Sequence, residues 1–370
     1  MKKLKILILA NDTTYVYNLR DEIIKRLVAD GHEVVVVANI LLFEEELKAI
    51  GCRLVNVETN RHGTNPFADL GLLSRYKKIL RAEKPDIVYT YNIKPNAYGG
   101  IACRRTKTRY FSNITGLGKA VEYPGIVQKI SIILYKIGVA GADCIFFQNE
   151  ANREFFKTHK MLKKGCRERL LPGSGVNIQR HAAMEYPPDG EKINFLFVAR
   201  IMKEKGIDIY LNAAKRIYEN HKNVVFNICG YCDDENYLEL LKEAEKIGYI
   251  VYHGEQKDLK PFFEAAHCVA HPSYYPEGMS NVLLEAAAHA RPVIATDRAG
   301  CRETVDDGKT GFVVPVKDED AFVDALEKII NMSWEERRDM GLAGRKKIER
   351  EFDRKLVVEA YIEETEKIFG

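Results

Sequence analysis

The sequence predicts an α/β fold of two doubly wound, mainly parallel, Rossmann-like sheets, and three observations carry that prediction. Apolar runs of strand length alternate with stretches of helical composition, the βαβα order that gives parallel sheets. The runs form two series with a turn-rich stretch between them. The 370 residues also exceed what one core usually supports.

The first series comprises residues 4–10, 33–38, 54–57, 86–91, 110–113 and 143–147; the second comprises 193–200, 224–229, 250–253, 268–271, 292–295 and 312–314. Most are rich in Val, Ile, Leu, Phe or Tyr, as strands covered on both faces require. Residues 176–191, with Pro187-Pro188 and Asp189-Gly190, read as the linker, which sets a first domain at 1–180 and a second at 181–354. From 335 to 370 the composition is helical, and Trp334 is expected to pack a helix junction. The stretch 124–139 places Ile126, Val127, Ile130, Ile133, Leu134 and Ile137 on one side of a helix and Gln128, Lys129, Ser131 and Lys136 elsewhere. Such a stripe is by default a core face. With Tyr123, Tyr135 and nearby cations it also suits the interface of a bilayer.

A composition of 46% hydrophobic and 29% charged residues is ordinary for a globular protein. No apolar run is long enough to span a membrane, and the opening residues pass straight into a strand without a secretory signal, so a cytoplasmic location is expected. The eight cysteines are scattered through apolar segments, as reduced core thiols are. Cys229-Gly230-Tyr231-Cys232 has redox or metal spacing but lacks a second pair; it reads as a strand end at which Gly230 lets a nucleotide approach the backbone.

The net charge of +3 conceals an asymmetry: residues 1–180 carry 30 Lys plus Arg against 17 Asp plus Glu, and the remainder carries 26 against 36. Between Ile87 and Val121 there is no acidic residue, while Lys94, Arg104, Arg105, Lys107, Arg109 and Lys119 are present. A basic domain of this kind fits the anionic surface of a membrane. Nucleic acid is not expected, because no nucleic-acid motif or basic low-complexity tail accompanies the charge.

Two clusters carry the chemistry. Arg200 closes the run 193–200 and Lys205 opens the next helix, at the sheet edge where open α/β folds bind ligands, and the pair suits the charge of a departing diphosphate. Eighty residues later the segment Glu277-Gly278-Met279-Ser280-Asn281-Val282-Leu283-Leu284-Glu285 leads from a strand into a helix. The amides of Gly278, Met279 and Ser280 are expected at that helix's start, where anions bind. Eight residues of helix span roughly 12 Å, so Glu277 and Glu285 serve opposite ends of one ligand. Both acids also suit a solvated helix face.

Arg200 with Lys205, Glu277 with Glu285, and the segments 285–296, 299–303 and 307–312 resemble the donor half of glycosyltransferase family 4, retaining enzymes of two-domain GT-B architecture. The resemblance implies two Rossmann-like domains facing across a cleft, with a last helix of about 355–370 returning to the first. It implies that Arg200 and Lys205 bind the diphosphate of a nucleotide sugar, Glu277 the transferred sugar and Glu285 the ribose. More loosely, residues 61–67 and 116–118 resemble bacterial members that build lipid-linked oligosaccharide, capsule and lipopolysaccharide, including the undecaprenyl-diphosphate-sugar N-acetylgalactosaminyltransferases. The implied activity is transfer of a hexose or N-acetylhexosamine from a UDP-sugar to a polyprenyl-diphosphate saccharide, peripheral on the inner face of the membrane, with no metal and no cofactor beyond the donor.

Further candidates follow. Asn281 lies beside the grip, and Gly230 and His253 end strands of the second series. In place of the glycine-rich loop of many members, the chain has Thr13 and Thr14, expected to cap the first helix near the donor. Asn113, Thr115 and Gly116 stand where members often carry a His or carboxylate, and no general base is evident there. That fits a route in which the leaving phosphate itself accepts the proton. Arg61, His62, Asn65, Asn92 and Lys94 are candidates for the acceptor's diphosphate. Two other functions suit the same architecture: a nucleotide-sugar epimerase, which needs acid and base groups at the sugar carbon, and a silent sugar-nucleotide-binding subunit.

Overall fold

The computed structural model describes residues 2–58, 66–118, 121–122, 124–190 and 192–370. Their contacts divide the chain into two units: residues 1–175 with 277–279 and 354–370, and residues 176–276 with 280–353. Arg61, His62, Asn65, Lys119 and Tyr123 lie outside the described residues.

In the first unit, β1 (Lys5–Asp12), β2 (Glu33–Asn39), β3 (Arg53–Asn56), β4 (Ile87–Tyr91), β5 (Arg109–Ile114), β6 (Cys144–Phe147) and β7 (Arg167–Leu170) form one parallel sheet in the order β3-β2-β1-β4-β5-β6-β7. The central strand is buried on both faces: Ile6, Leu7, Ile8 and Leu9 have no exposed surface. That is why it reads as an unbroken apolar run. The order reverses between β1 and β4, and Asn92, just past β4, accepts the Asn11 N–H at 3.2 Å there. Helices α1 (Thr13–Ala29), α2 (Glu44–Ile50), α3 (Pro66–Glu83), α4 (Gly100–Thr106), α5 (Ile126–Val139) and α6 (Glu150–Thr158) complete the βα units. Helix α1 is capped by Asp12, whose side chain accepts the Tyr15 N–H. The expected cap at Thr13 and Thr14 is therefore corrected by one residue, because β1 runs to Asp12 before the helix starts.

Helix α5 departs from the default expectation for an apolar stripe. Its inner face is Ile132, Tyr135 and Val139, while Ile126, Val127, Ile130, Ile133 and Ile137 are exposed, from 77% at Ile126 to 42% at Ile137. The helix is seated by two glycines: a Cβ on Gly100 would stand 2.1 Å from the Gly138 carbonyl, and one on Gly138 would stand 2.6 Å from the Asn96 carbonyl. Among the described residues no helix is long and apolar enough to cross a membrane.

In the second unit, β8 (Ile193–Val198), β9 (Val224–Cys229), β10 (Ile250–Tyr252), β11 (Cys268–His271), β12 (Val293–Thr296) and β13 (Gly311–Val314) form a parallel sheet in the order β10-β9-β8-β11-β12-β13. Around it lie α7 (Ile207–Asn220), α8 (Glu235–Ile247), α9 (Lys260–Ala265), α10 (Asn281–Ala288), α11 (Glu319–Asn331) and α12 (Trp334–Glu351). The stretch 176–190 is not a free linker. The Arg345 guanidinium donates to the carbonyls of Ile178 and His181, Tyr186 Oη to His267, and Trp334 Nε1 to Pro187.

The helical tail is broken, at Phe352 and Asp353, where Val176 donates to the Phe352 carbonyl and pairs with Asp353. The last helix, α13 (Arg354–Phe369), belongs to the first unit and buries Val357, Val358, Ala360, Tyr361 and Ile362 in its core. Tyr361 stacks on Phe146 with ring centroids 4.3 Å apart and receives a hydrogen bond from Asn113 Nδ2.

Candidate active site

In the second sheet the strand order reverses between β8 and β11, and the crevice outside the carboxyl ends at such a reversal is where open α/β sheets take their ligands. Strand β8 ends at Val198, so Arg200 sits on the loop beyond it rather than closing the strand, and Lys205 lies in a 3₁₀ turn, Lys203–Lys205. The strand β11 ends in His271-Pro272-Ser273 at the same edge. The two loops lock together: Tyr274 N–H donates to the Glu204 carbonyl at 2.9 Å, and Gly206 is left-handed (φ 81°) and so close that a Cβ there would stand 2.2 Å from the Pro272 carbonyl. Glycine is required at that point, and it fixes Lys205 above the Tyr275 ring at 5.1 Å.

Two cations, Arg200 and Lys205, meet in this crevice. Burial lowers the Lys205 ammonium to about 8, partly offset by Cys301, and the Arg200 charge pushes it the same way. His271 is buried with neither ring nitrogen bonded, and burial followed by the Lys205 charge holds it well below its ordinary pKa. The Arg200 guanidinium contacts the Met202 sulfur at 3.0 and 3.2 Å and, among the described residues, no carboxylate. Two cations close enough to repel each other, beside an unbonded imidazole, are set for an anion.

Helix α10 opens onto the same edge. Ser280 is its N-cap, yet its Oγ is buried without a partner, as is Asn281 Oδ1. The expectation that the amides of Gly278, Met279 and Ser280 together begin the helix is corrected. The helix starts at Asn281, the Ser280 N–H is held by the Gly300 carbonyl at 2.7 Å, and 277–279 cluster with the first unit. Glu285 lies half-buried on α10, one turn past Asn281.

Beside β8 and β9 a pocket of about 370 Å³ is lined by Arg200, Gly230, Tyr231, Glu255, Gln256 and Leu259 among others. Gly230 is needed there for packing: a Cβ would stand 1.8 Å from the Ala199 carbonyl. His253 is engaged, with Nε2 on Asn227 Oδ1 at 2.9 Å and its ring against Phe262, so its role is to brace the end of β10. Cys229 and Cys232 are free thiols, and burial raises Cys229 to about 12. Among the described residues no three His, Cys, Asp or Glu side chains are grouped to hold a metal ion.

In the first unit the candidates are largely tied into the scaffold. Thr13 is fully buried; its Oγ1 donates to the Leu42 carbonyl at 2.6 Å and accepts the Leu41 N–H, which fixes the 41–42 loop. Thr14 is half-buried in the first turn of α1. Lys94 pairs with Asp69 at 2.8 Å, both side chains about 15% exposed, so it is not a free cation for an acceptor. Asn113 is buried, its Nδ2 on Tyr361 and its Oδ1 without a partner. Thr115 and Gly116 follow, half-buried, with Gly116 left-handed (φ 128°). Glu277, Gly278 and Met279 settle against this edge: Asn149 Nδ2 donates to the carbonyls of Glu277 and Gly278 at 3.2 and 2.5 Å, and a Cβ on Gly278 would stand 2.2 Å from Gln148 Oε1 and 2.7 Å from the Thr115 carbonyl.

Sequence reasoning passed over two groups here. Arg20 is wholly buried, donates from Nη2 to Tyr15 Oη (2.8 Å) and Ser174 Oγ (3.1 Å), and lies 4.6 Å from the Tyr91 ring centroid. An isolated arginine in a helix gives no signal of that. His271 did carry one, since it ends a buried strand beside the sheet reversal.

Comparison with known proteins bears on the family and the fold. The model of the glycosyl transferases group 1 matches residues 181–347, and that of the glycosyl transferase 4-like family matches residues 5–149. The chain is 24% identical to an N,N'-diacetylbacillosaminyl-diphospho-undecaprenol alpha-1,3-N-acetylgalactosaminyltransferase of Campylobacter jejuni, over 89% of each chain. It is 28% identical to the capsular polysaccharide biosynthesis glycosyltransferase CapM of Staphylococcus aureus, over 85% of each. The structure of HepE from Anabaena in complex with UDP and glucose superposes with a TM-score of 0.78 at 16% identity, covering 98% of this chain and 99% of that one, which is a likeness of fold. With the two family models covering most of its length in tandem, the chain belongs to the group 1 and 4-like glycosyltransferases and has their GT-B fold of two parallel Rossmann-like sheets.

Proposed function

We propose that this glycosyltransferase is a retaining, metal-independent enzyme that moves a hexose or N-acetylhexosamine from a UDP-sugar to a polyprenyl-diphosphate saccharide in surface-glycan assembly. The observation that carries this is the pair Arg200 and Lys205, two cations close enough to repel each other, placed together at the reversal of the second sheet. There they hold the diphosphate. The adjoining pocket takes the uracil, Glu285 the ribose and Glu277 the transferred sugar. In the reaction the bond from the anomeric carbon to the phosphate oxygen breaks as the acceptor hydroxyl oxygen bonds that carbon from the same face. The hydroxyl proton passes to the departing phosphate oxygen, and the two cations stabilise the charge on UDP. The name of the Campylobacter relative supports an acceptor on undecaprenyl diphosphate. The exposed apolar face of α5, beside a basic surface, supports docking on an anionic membrane, where such an acceptor resides.

The test is to incubate the protein with individual nucleotide sugars, with and without a lipid-diphosphate saccharide. A transferase releases nucleotide only when acceptor is present. Interconversion of sugars without release would instead identify an epimerase, and no turnover of any donor a binding subunit. Titration with UDP separates the roles further: Glu285→Ala is expected to weaken UDP binding, whereas Glu277→Ala is expected to lower turnover with UDP affinity retained. Equal UDP affinity in wild type and Glu285→Ala would remove the ribose assignment.

A further inference from the structure

At the amino edge of the first sheet, where β4 and β5 begin, the surface forms an open hollow of about 620 Å³ between the ends of α3 and α4. Arg81, Lys84, Arg105, Lys107 and Arg109 line it, with one carboxylate, Asp86. This is the opposite edge of the sheet from Asn92, Asn113 and Gln148, and none of these cations belongs to the site described above.

The charge there is not neutralised. Arg109 pairs with Asp143 at 2.8 Å, and Asp86 Oδ2 accepts the Lys5 N–H at 2.8 Å, with Lys2 3.8 Å from its other oxygen. Arg81, Lys84, Arg105 and Lys107 are exposed and in no ion pair among the described residues. Two helix C-termini add roughly half a negative charge each. Asp86, Asp143 and the two helix ends therefore set about three negative charges against the five lining cations and Lys2, which leaves the hollow net positive. A phosphate monoester, which carries about −1.5 to −2 near neutral pH, is an anion that suits it.

A second feature concerns the backbone. Lys84 and Lys107 each follow the last residue of a helix in the left-handed conformation, with φ of 46° and 58°. Glycine is the ordinary residue at such a position, because a Cβ there costs energy. Of the four left-handed lysines among the described residues, Lys84 and Lys107 line the one hollow, whereas Lys160 and Lys317 lie elsewhere. Capping of a helix end by charge needs no left-handed lysine, since a cation within the last turn does the same.

We propose that this hollow is a binding site for a phosphate group, separate from the donor site and carried either by a lipid headgroup or by a soluble molecule. Arg81 and Arg105 hold phosphate oxygens in pairs, as guanidinium groups do, while Lys84 and Lys107 supply point charge from the helix ends.

The variant Lys84→Gly with Lys107→Gly tests this in the full chain, because it removes both charges and relaxes both backbones. It is expected to melt no lower than wild type and to bind UDP equally well. Two probes are used with UDP saturating: inorganic phosphate by calorimetry, and phosphatidylcholine vesicles with and without phosphatidic acid by flotation. Wild type is expected to bind at least one probe, and the variant at least tenfold more weakly. Loss confined to phosphatidic-acid vesicles assigns a lipid headgroup; loss confined to free phosphate assigns a soluble ligand. Helix α5 is intact in both proteins, so its contribution to flotation cancels. Undiminished binding of both probes by the variant, or no binding of either by wild type, overturns the proposal.

Discussion

The carboxyl edges of the two sheets are built from similar polar residues and treat them differently. At the second edge His271, Ser280 and Asn281 hold buried polar atoms with no partner, and Arg200 meets only a thioether. At the first edge Thr13 is locked to the 41–42 loop, Lys94 to Asp69, and Asn113 to Tyr361 of α13. A buried polar group without a partner is costly, and a ligand that completed those of the second unit would offset that cost. In the first unit several of the same residue types serve the fold, although Arg20, Asn11 (Oδ1), Asn113 (Oδ1) and Asn152 (Nδ2) also hold buried polar atoms without a hydrogen-bond partner among the described residues. The proposed diphosphate site thus rests on the second sheet, while Thr13, Lys94 and Asn113 at the first edge are held by the scaffold.

The contrast predicts that substitutions at the first edge cost stability and those at the second cost turnover. The largest effect is expected for Tyr361→Ala, which empties a fully buried aromatic site and frees Asn113; it should destabilise the protein by about 3–5 kcal/mol in denaturant titration. A wild-type midpoint in that variant would mean that α13 does not hold the first unit together. Next, Arg200→Ala and Lys205→Ala are each expected to lower turnover at least tenfold with melting temperature retained, since Arg200 is exposed and loss of the Lys205 ammonium relieves a desolvation cost that offsets its lost contacts. A variant that melts early instead would place that cation with the scaffold.

A smaller effect follows from the depressed Lys205. Unliganded, it loses its proton as pH rises through about 8, and a bound diphosphate favours the ammonium form. Binding of UDP at about pH 9 should therefore take up close to one proton, and affinity should fall with rising pH above that pKa. Because the folded pKa lies below the ordinary lysine value, the unliganded protein should gain stability over the same rise. Calorimetry in buffers of different ionisation enthalpy reads the uptake, and Lys205→Arg should abolish it. The smallest effect is expected from Ile130→Ser on α5: a reduced, salt-resistant fraction on anionic vesicles, with turnover of a soluble acceptor unchanged. No change in flotation would leave the apolar face of α5 without a role at a membrane.

The parallel sheets were legible because strands covered on both faces must be apolar throughout, as in Ile6 to Leu9 and Val34 to Val37. Strand β7 was not, since Arg167-Glu168-Arg169-Leu170 is an edge that pairs on one side only and whose arginines reach Glu363 and Glu364, about 195 residues on. Arg200 and Lys205 stood out as charges at the end of an apolar run. The roles of Thr13 and Lys94 were hidden because their partners, Leu42 and Asp69, lie 29 and 25 residues away. The periodicity of α5 was plain, but which of its faces meets solvent depends on where Gly100 and Gly138 seat it.

The placement of α13 in the first unit has a consequence for biosynthesis. Residues 1–175 emerge first, yet their core lacks Tyr361 and its neighbours until α13 has been made. At ~5–20 residues per second the intervening stretch takes on the order of 10–40 s to translate. During that interval the aromatic surface of Tyr89, Phe111 and Phe146 has no cover, and the second unit, contiguous apart from 277–279, can finish folding before the first. Nascent chains arrested just before Arg354 should then bind a chaperone through the first unit, and release it once α13 is added.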